Sequence, residues 1–330
     1  MLANTPVLPR FDGYPSGWFV IGWSDELAVG QVVPLHYFGQ KLVLFRGEDG
    51  RANLLDAYCA HLGASLAAGG VVKGCNIECP FHAWRYAGDG RCVEIPYAQK
   101  IPRKAFVRAW EVREHSGLLF MWHDAQGRQP DYEIPTLPEW ENPGWTRWTM
   151  SKLQIRTHPR EIVENVVDKA HFPQVHNTHV ESFENEFEGH KATQRTRGVA
   201  YPVGGGRDQF AIEATYFGPG VQFSWMNGVL EARLLNAHVP IDEHHLDLRF
   251  GVMLKMIGSE EKTRMFAQKY AENLQLGFHQ DIAIWENKLF RELPVLCEGD
   301  GPIMRLRQWY AQFYGDGGRG PVAEKQEVAR

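Results

Sequence analysis

The chain has 330 residues, 44% of them hydrophobic and 23% charged, with a formal net charge of −5. That length can bury two cores, and that balance describes an ordinary globular protein without the basic footprint that nucleic acid or an anionic membrane requires, so neither partner is expected. No apolar run approaches the roughly 20 residues that span a bilayer, "MLANTPVLPRFDG" lacks the basic-then-apolar pattern of an export signal, and five cysteines are too few for a disulfide framework; a cytoplasmic protein is expected.

In chain order, residues 18–124 read as short β-type runs, "WFVIGW", "KLVLFRG", "ANLLDAY" and "GLLFMWH", separated by turn signals such as "GEDGR" and "GDGR". They predict an all-β module that ends near 125. Residues 125–145, rich in proline and glycine, predict a linker lying across the surface. Next, "PREIVENVVDKAHF" predicts a helix, with Ile162, Val163, Val166, Val167 and Ala170 at helical spacing and Asn165, Asp168 and His171 along a neighbouring face. Pro173 should end or kink it. Several strands are expected between 195 and 257, then one amphipathic helix over 260–290 with an apolar stripe through Phe266, Tyr270, Leu274, Phe278, Ile282, Trp285 and Leu289. Residues 316–330 carry too little apolar surface to offset ordering entropy and predict a flexible tail.

Two patterns carry chemistry. Cys59-x-His61 and Cys79-x-x-His82 each supply one cysteine and one histidine. A zinc finger instead pairs like with like in each half of its tetrahedron. One of each from two loops suits a [2Fe-2S] cluster with two thiolates on one iron and two imidazoles on the other, an arrangement that raises the potential to roughly −150 to +300 mV from the about −400 mV of all-cysteine plant-type clusters. This matches the Rieske motif. Glycines around the loops would let main-chain amides approach, and Pro80 would stiffen the second loop. Cys75 and Cys92 sit at the wrong spacing for ligands and read as small core residues or inert thiols.

In the second half, His171 would sit on the last turn of the first predicted helix and His176 just past the break. Asp281 lies beside the apolar stripe of the long helix, where a carboxylate is costly unless paired or metal-bound. Two histidines and a carboxylate form the facial triad of non-haem Fe(II) oxygenases; read alone, the same residues also suit a helix cap and an ordinary hydrogen-bonded aspartate. The remaining histidines follow no ligand pattern, with His179 the nearest to an exception.

The Rieske motif followed by "ENVVDKAHFPQVH" resembles the oxygenase components of Rieske non-haem iron oxygenases over about residues 15–315. The stretches "LDAYCAHLGASLA", "CPFHAWRYAGDGRC", "FEGHKATQ", "GFHQDIAIWENK" and "LCEGDGPIMRLRQWYAQFY" resemble the 3-ketosteroid 9α-hydroxylase branch, and cholesterol 7-desaturase-like enzymes share part of that pattern. "NTHVESFENEF", after His176, departs from it and is expected as a loop forming a pocket wall.

The resemblance implies an α+β chain: an antiparallel all-β Rieske [2Fe-2S] domain at 15–125, then a helix-grip, START-like catalytic domain at 126–315 with an antiparallel sheet around a long helix. It implies that Cys59, His61, Cys79 and His82 hold the cluster, and that His171, His176 and Asp281 hold one mononuclear Fe(II). It also implies a homotrimer in which Asp168 bridges His82 of one subunit to His171 of the next. A Gly-rich dinucleotide fingerprint is missing, so NADH electrons are expected through a separate flavin and iron-sulfur reductase. The implied reaction is monooxygenation with O2, hydroxylating a large apolar substrate such as a 3-ketosteroid. Phe183, Phe187, Tyr216, Phe217, Phe223, Trp225 and Met226 are candidate pocket residues. A Rieske electron carrier is the non-enzyme alternative; it would need neither Asp281 nor the second half.

Overall fold

A computed structural model describes residues 11–201, 206–228 and 230–315; the expected tail at 316–330 lies outside the described residues. The alternating runs of the first third form antiparallel strands. β1 (Gly17–Trp23) pairs with β11 (Leu118–His123), which pairs with β10 (Val112–His115). β2 (Val32–Tyr37), β3 (Gln40–Arg46), β4 (Ala52–Asp56) and β9 (Ala109–Trp110) make a second sheet in that order. A third, of β5 (Val71–Lys73), β6 (Asn76–Glu78), β7 (Arg85–Tyr86) and β8 (Cys92–Glu94), carries the Cys/His loops.

The second half is a seven-stranded antiparallel sheet in the order β12 (Thr149–Ile155), β18 (Leu246–Leu254), β17 (Ala232–Pro240), β16 (Val221–Asn227), β15 (Asp208–Phe217), β14 (Lys191–Ala200) and β13 (Thr178–Glu188). Helix α3 (Glu260–Trp285) lies on one face, with Ala267 and Ala271 against Ala232, Val252 and Leu254. Small residues there let helix and sheet approach closely, and Phe278 meets Phe250 with ring centroids 5.0 Å apart. The opposite face buries Val221, Phe223 and Leu235 against Trp18, Val20 and Trp122. Strand alternation thus gives one sheet two faces, one covered by α3 and one, over β16–β18, by the first β module. These are the expected antiparallel layers, the second wrapped on a long helix.

Four local expectations are overturned. The segment at 125–145 does not simply cross the surface: Tyr132, Ile134 and Leu137 are buried between the halves, and Tyr132 binds Trp18 twice, accepting from its main-chain N–H and from its indole N–H. The 177–187 stretch is edge strand β13, bulged between Val180 and Ser182, and strands therefore begin well before 195. The long helix stops at Trp285 rather than 290, because groups near the end of β12 take its last carbonyls, Thr157 Oγ1 donating to Trp285 O and Arg156 to Glu286 O.

The helix expected at "PREIVENVVDKAHF" is instead two short ones, α1 (Pro159–Glu164) and α2 (His171–His176), followed later by α4 (Ile303–Ala311). Side chains break it. Asp168 Oδ1 accepts from the N–H groups of Ala170 and His171, and Asn185 donates to Val166 O, so the main-chain groups that would continue the helix are already engaged. Pro173 falls in the first turn of α2, where its missing N–H costs nothing.

Two fully buried histidines set an acid limit. His123 stacks on Phe38 at 3.8 Å and its Nδ1 meets Pro15 O at 2.9 Å; burial lowers its pKa to about 4, and burial lowers that of His238 to about 3. Both stay neutral in the fold but protonate near 6.5 when unfolded, so their contribution is complete above about pH 6.5 and is lost as pH falls toward 4, by about 1.4 kcal/mol per pH unit each. Denaturant titrations at pH 7.5 and 5 are expected to differ by roughly 4 kcal/mol from this pair. A His123→Phe/His238→Leu variant that keeps the full acid slope would refute this.

Candidate metal centres

The two Cys/His loops are built alike. Cys59 N–H donates to Ala64 O and Gly63 N–H returns to Cys59 O; Cys79 N–H donates to Trp84 O and Ala83 N–H returns to Cys79 O. Each loop turns through a left-handed residue, Gly63 at φ 76° and Ala83 at φ 55°. Both cysteines are buried in one core cluster. The imidazoles of His61 and His82 sit together, with ring centroids 4.8 Å apart.

The donor set fits a two-thiolate, two-imidazole cluster. Nδ1 of His61 is buried with no hydrogen-bond partner, a state that costs free energy unless something binds it. Burial pushes the Cys79 thiol up, but hydrogen bonds from the main chain of Phe81 and His82 pull the other way and are ready for a thiolate. Trp84 stacks on His61 at 4.5 Å, nearly parallel, and its indole N–H donates to Tyr97 Oη at 2.8 Å. Of the two other cysteines near this module, Cys92 is buried in its core and Cys75 is exposed.

Tyr86 was not marked by the spacing of cysteines and histidines. Its hydroxyl accepts from Ala60 N–H and lies 3.1 Å from Cys59 Sγ, so against a thiolate it donates. The one available signal was strand alternation: Trp84 and Tyr86 face in, Arg85 faces out. Such a bond favours the more negative, reduced state. Tyr86→Phe is expected to lower the cluster's potential by roughly 40–60 mV, the equivalent of about 1–1.5 kcal/mol for one electron. Redox titration of the visible spectrum checks it; an unchanged potential would remove the hydroxyl from the tuning of the cluster.

The second centre forms where α2 meets α3. The ligand atoms of His171, His176 and Asp281 all lie within 4.8 Å of one another. Both histidines lie within α2, at its two ends, rather than on either side of a break, and Asn177 then reverses the chain at φ 49° into β13. Nδ1 of His171 is held by Asp168 O at 2.6 Å and Nδ1 of His176 by Gln280 Oε1 at 3.2 Å. Each imidazole therefore keeps its proton on Nδ1 and offers Nε2 inward. Burial lowers the pKa of His171 despite Asp168 and Asp281. At His176 burial also opposes charge, but the hydrogen bond to Asp281 and its carboxylate outweigh it and the pKa rises. Asp281 itself is buried, with His176 Nε2 3.4 Å from its Oδ1. A buried carboxylate held against two imidazoles fits a divalent metal.

Asp168 is half-exposed beside His171. Its Oδ2 lies 3.7 Å from His171 Nδ1, but the hydrogen bond there is made by its main-chain oxygen; Oδ1 caps the turn into α2 and Oδ2 has no donor of its own at hydrogen-bond distance on His171. Of the candidate pocket residues, Phe217, Phe223 and Trp225 belong to the sheet face turned toward the first module, opposite the face that carries α3. Tyr216 and Phe187 pack with Trp309 under α4. Phe183, against Phe172, and Met226, against Tyr270 of α3, face the metal side. His179 is the second residue of β13, exposed and paired with Val199.

Residues 17–110 match the Rieske [2Fe-2S] domain and residues 121–314 the 3-ketosteroid 9α-hydroxylase C-terminal domain. A probable 3-ketosteroid-9-alpha-monooxygenase oxygenase component of Rhodococcus rhodochrous is 43% identical over 322 residues, 92% of this chain and 80% of that one. The 3-ketosteroid-9-alpha-monooxygenase oxygenase component of Mycobacterium tuberculosis H37Rv is 39% identical over 92% and 82% of the two chains. Cholesterol 7-desaturase nvd 1 of Ciona intestinalis is 31% identical over 91% and 69%. Among solved structures, dicamba monooxygenase bound to dicamba superposes with a TM-score of 0.73 at 17% identity over 90% and 96% of the chains, which establishes the fold alone. With both halves matched and the likeness to the Rhodococcus and Mycobacterium proteins running through nine-tenths of its length, the chain belongs to the Rieske oxygenases, in the family of 3-ketosteroid 9α-monooxygenase oxygenase components, and carries a Rieske [2Fe-2S] domain.

Proposed function

We propose that the protein is the terminal oxygenase of a steroid monooxygenase. In this reading residues 15–125 form the cluster domain, with Cys59, His61, Cys79 and His82 as ligands, and residues 126–315 form the catalytic domain, with one Fe(II) on His171, His176 and Asp281. Bound iron with open positions supplies O2 activation. The chain's own residues hold and orient the ligands, shield the site and bind the substrate. A separate flavin and iron-sulfur reductase delivers electrons from NADH, consistent with relatives named as oxygenase components.

The observation that carries this is the convergence of the three ligands at the α2–α3 junction, beside an uncharged sheet face. Across that face run Phe250, Asn236, Gln222 and Tyr216, and next to them Val252, Leu234, Ser224 and Ala214, without an Arg or Lys. Asn236 donates to Gln222 Oε1 at 3.4 Å, while its own Oδ1 is buried without a partner. A small carboxylate substrate would call for a cation. A half-buried neutral amide pair on a face without a cation suits a large neutral molecule with an oxygen function, as a 3-ketosteroid is.

Two sets of exposed apolar side chains support a ring-shaped trimer. Leu62 follows His61 and Phe81 and Tyr97 lie against His82, while Leu289, Leu293 and Val295 follow the C-terminal end of α3. Unlike patches on one chain pair head to tail, and three such contacts close a ring. The second half and its triad speak against a simple electron carrier.

Supplied with NADH, a surrogate reductase and a panel of 3-ketosteroids and sterols, the enzyme is expected to consume O2 and add one oxygen atom to a ketosteroid. Product mass decides between readings: loss of two hydrogens without oxygen would favour the desaturase activity named for the Ciona relative. A small aromatic acid that alone stimulates uptake would overturn the steroid reading.

A further inference from the structure

The two proposed histidine ligands are oriented by different kinds of partner. His171 donates its Nδ1 proton to a main-chain oxygen, that of Asp168, which no substitution removes. His176 donates to a side chain, Gln280 Oε1, 3.2 Å away. Gln280 directly precedes Asp281 on α3, so neighbouring residues of one helix meet both ends of a single imidazole: Asp281 at Nε2, 3.4 Å away, and Gln280 at Nδ1. On α2 itself no side chain is bonded to His176 Nδ1, and α2 is a six-residue helix whose C-terminus turns away at Asn177. The ring's rotation about its side-chain bonds is therefore set from α3.

We propose that Gln280 is the positioning residue for His176. Resting on the reading of His171, His176 and Asp281 as an iron site, it assigns Gln280 the task of holding the imidazole in the Nδ1–H tautomer, with Nε2 aimed at the metal beside Asp281. An acceptor on the far nitrogen fixes ring orientation and raises ligand basicity, and loss of such outer partners typically costs about 10–100-fold in metal affinity. The acceptor, rather than the amide as such, is what the task needs.

The test is the rate at which purified protein releases Fe(II) to a ferrous chelator under anaerobic conditions, with the visible spectrum of the cluster and the melting temperature as controls. Gln280→Leu keeps the side chain's bulk without an acceptor and is expected to release iron about 10–100-fold faster than wild type, with cluster and melting temperature unchanged. Gln280→Glu restores an acceptor of the same reach and is expected to release iron within about threefold of wild type. Wild-type release by Gln280→Leu, or equally fast release by both variants, overturns the proposal. Asp281→Ala run in parallel separates the two ideas: if it too retains iron like wild type, the iron site itself is misassigned.

Discussion

Asp281→Ala is expected to strip the mononuclear iron and abolish turnover while leaving the Rieske spectrum intact. The carboxylate is buried and lies within 4.8 Å of both imidazoles, so its removal deletes one of the three proposed ligands and the only negative charge among them. Two neutral imidazoles remain, a poor match for the hard divalent cation that the proposed facial triad would hold. The loss should exceed the roughly 10–100-fold that a missing outer partner costs. Cys59→Ser is the mirror image: the cluster absorption goes, and the iron at the second centre stays. Iron analysis together with EPR of each variant separates the centres. A Rieske signal that survives in Cys59→Ser, or mononuclear iron that survives in Asp281→Ala, would reject the corresponding ligand.

Asp168→Asn is expected to keep both metals and lose nearly all turnover. The tautomer of His171 is set by the main-chain oxygen of residue 168, and the turn into α2 is capped by Oδ1, which an asparagine amide oxygen can reproduce. Iron binding should therefore change little. What disappears is the negative charge at a half-exposed position next to His171, where a second subunit's His82 would meet it in the proposed trimer. Single-turnover oxidation of the pre-reduced cluster is the measurement. Oxidation at the wild-type rate would exclude a bridging role for the carboxylate.

Much of this was legible in the residues. The Cys/His alternation identified the cluster because few chemistries need one of each in two tight loops, and turn signals separated the strands of the first module because their chemistry is local. Asp281 was visible because a carboxylate beside an apolar helical stripe contradicts the pattern around it. The break between α1 and α2 was not visible: apolar spacing continues through Val166 and Val167, and what stops the helix is Asn185, nineteen residues away from Val166, together with the side chain of Asp168. Pocket residues were misjudged for a similar reason. Phe217, Phe223 and Trp225 are as apolar as Phe183, and only the sheet's pairing decides which face each one joins.

Motif spacing, composition and periodicity by themselves determined the Rieske pattern of the first module, the β-then-α+β order and the start of α3 at Glu260, and they singled out His171, His176 and Asp281, which the fold brings within 4.8 Å of one another, since each depends on residues close in sequence or on a chemistry that tolerates few alternatives. Only tertiary structure decided that Tyr132 and its neighbours seal the two halves, that Tyr86 touches Cys59 and that Gln280 holds His176. Those contacts join residues 27 to 114 positions apart, and nothing local in the chain distinguishes a tyrosine or glutamine that will meet a ligand from one that will meet water until strand pairing and helix packing bring the partners together.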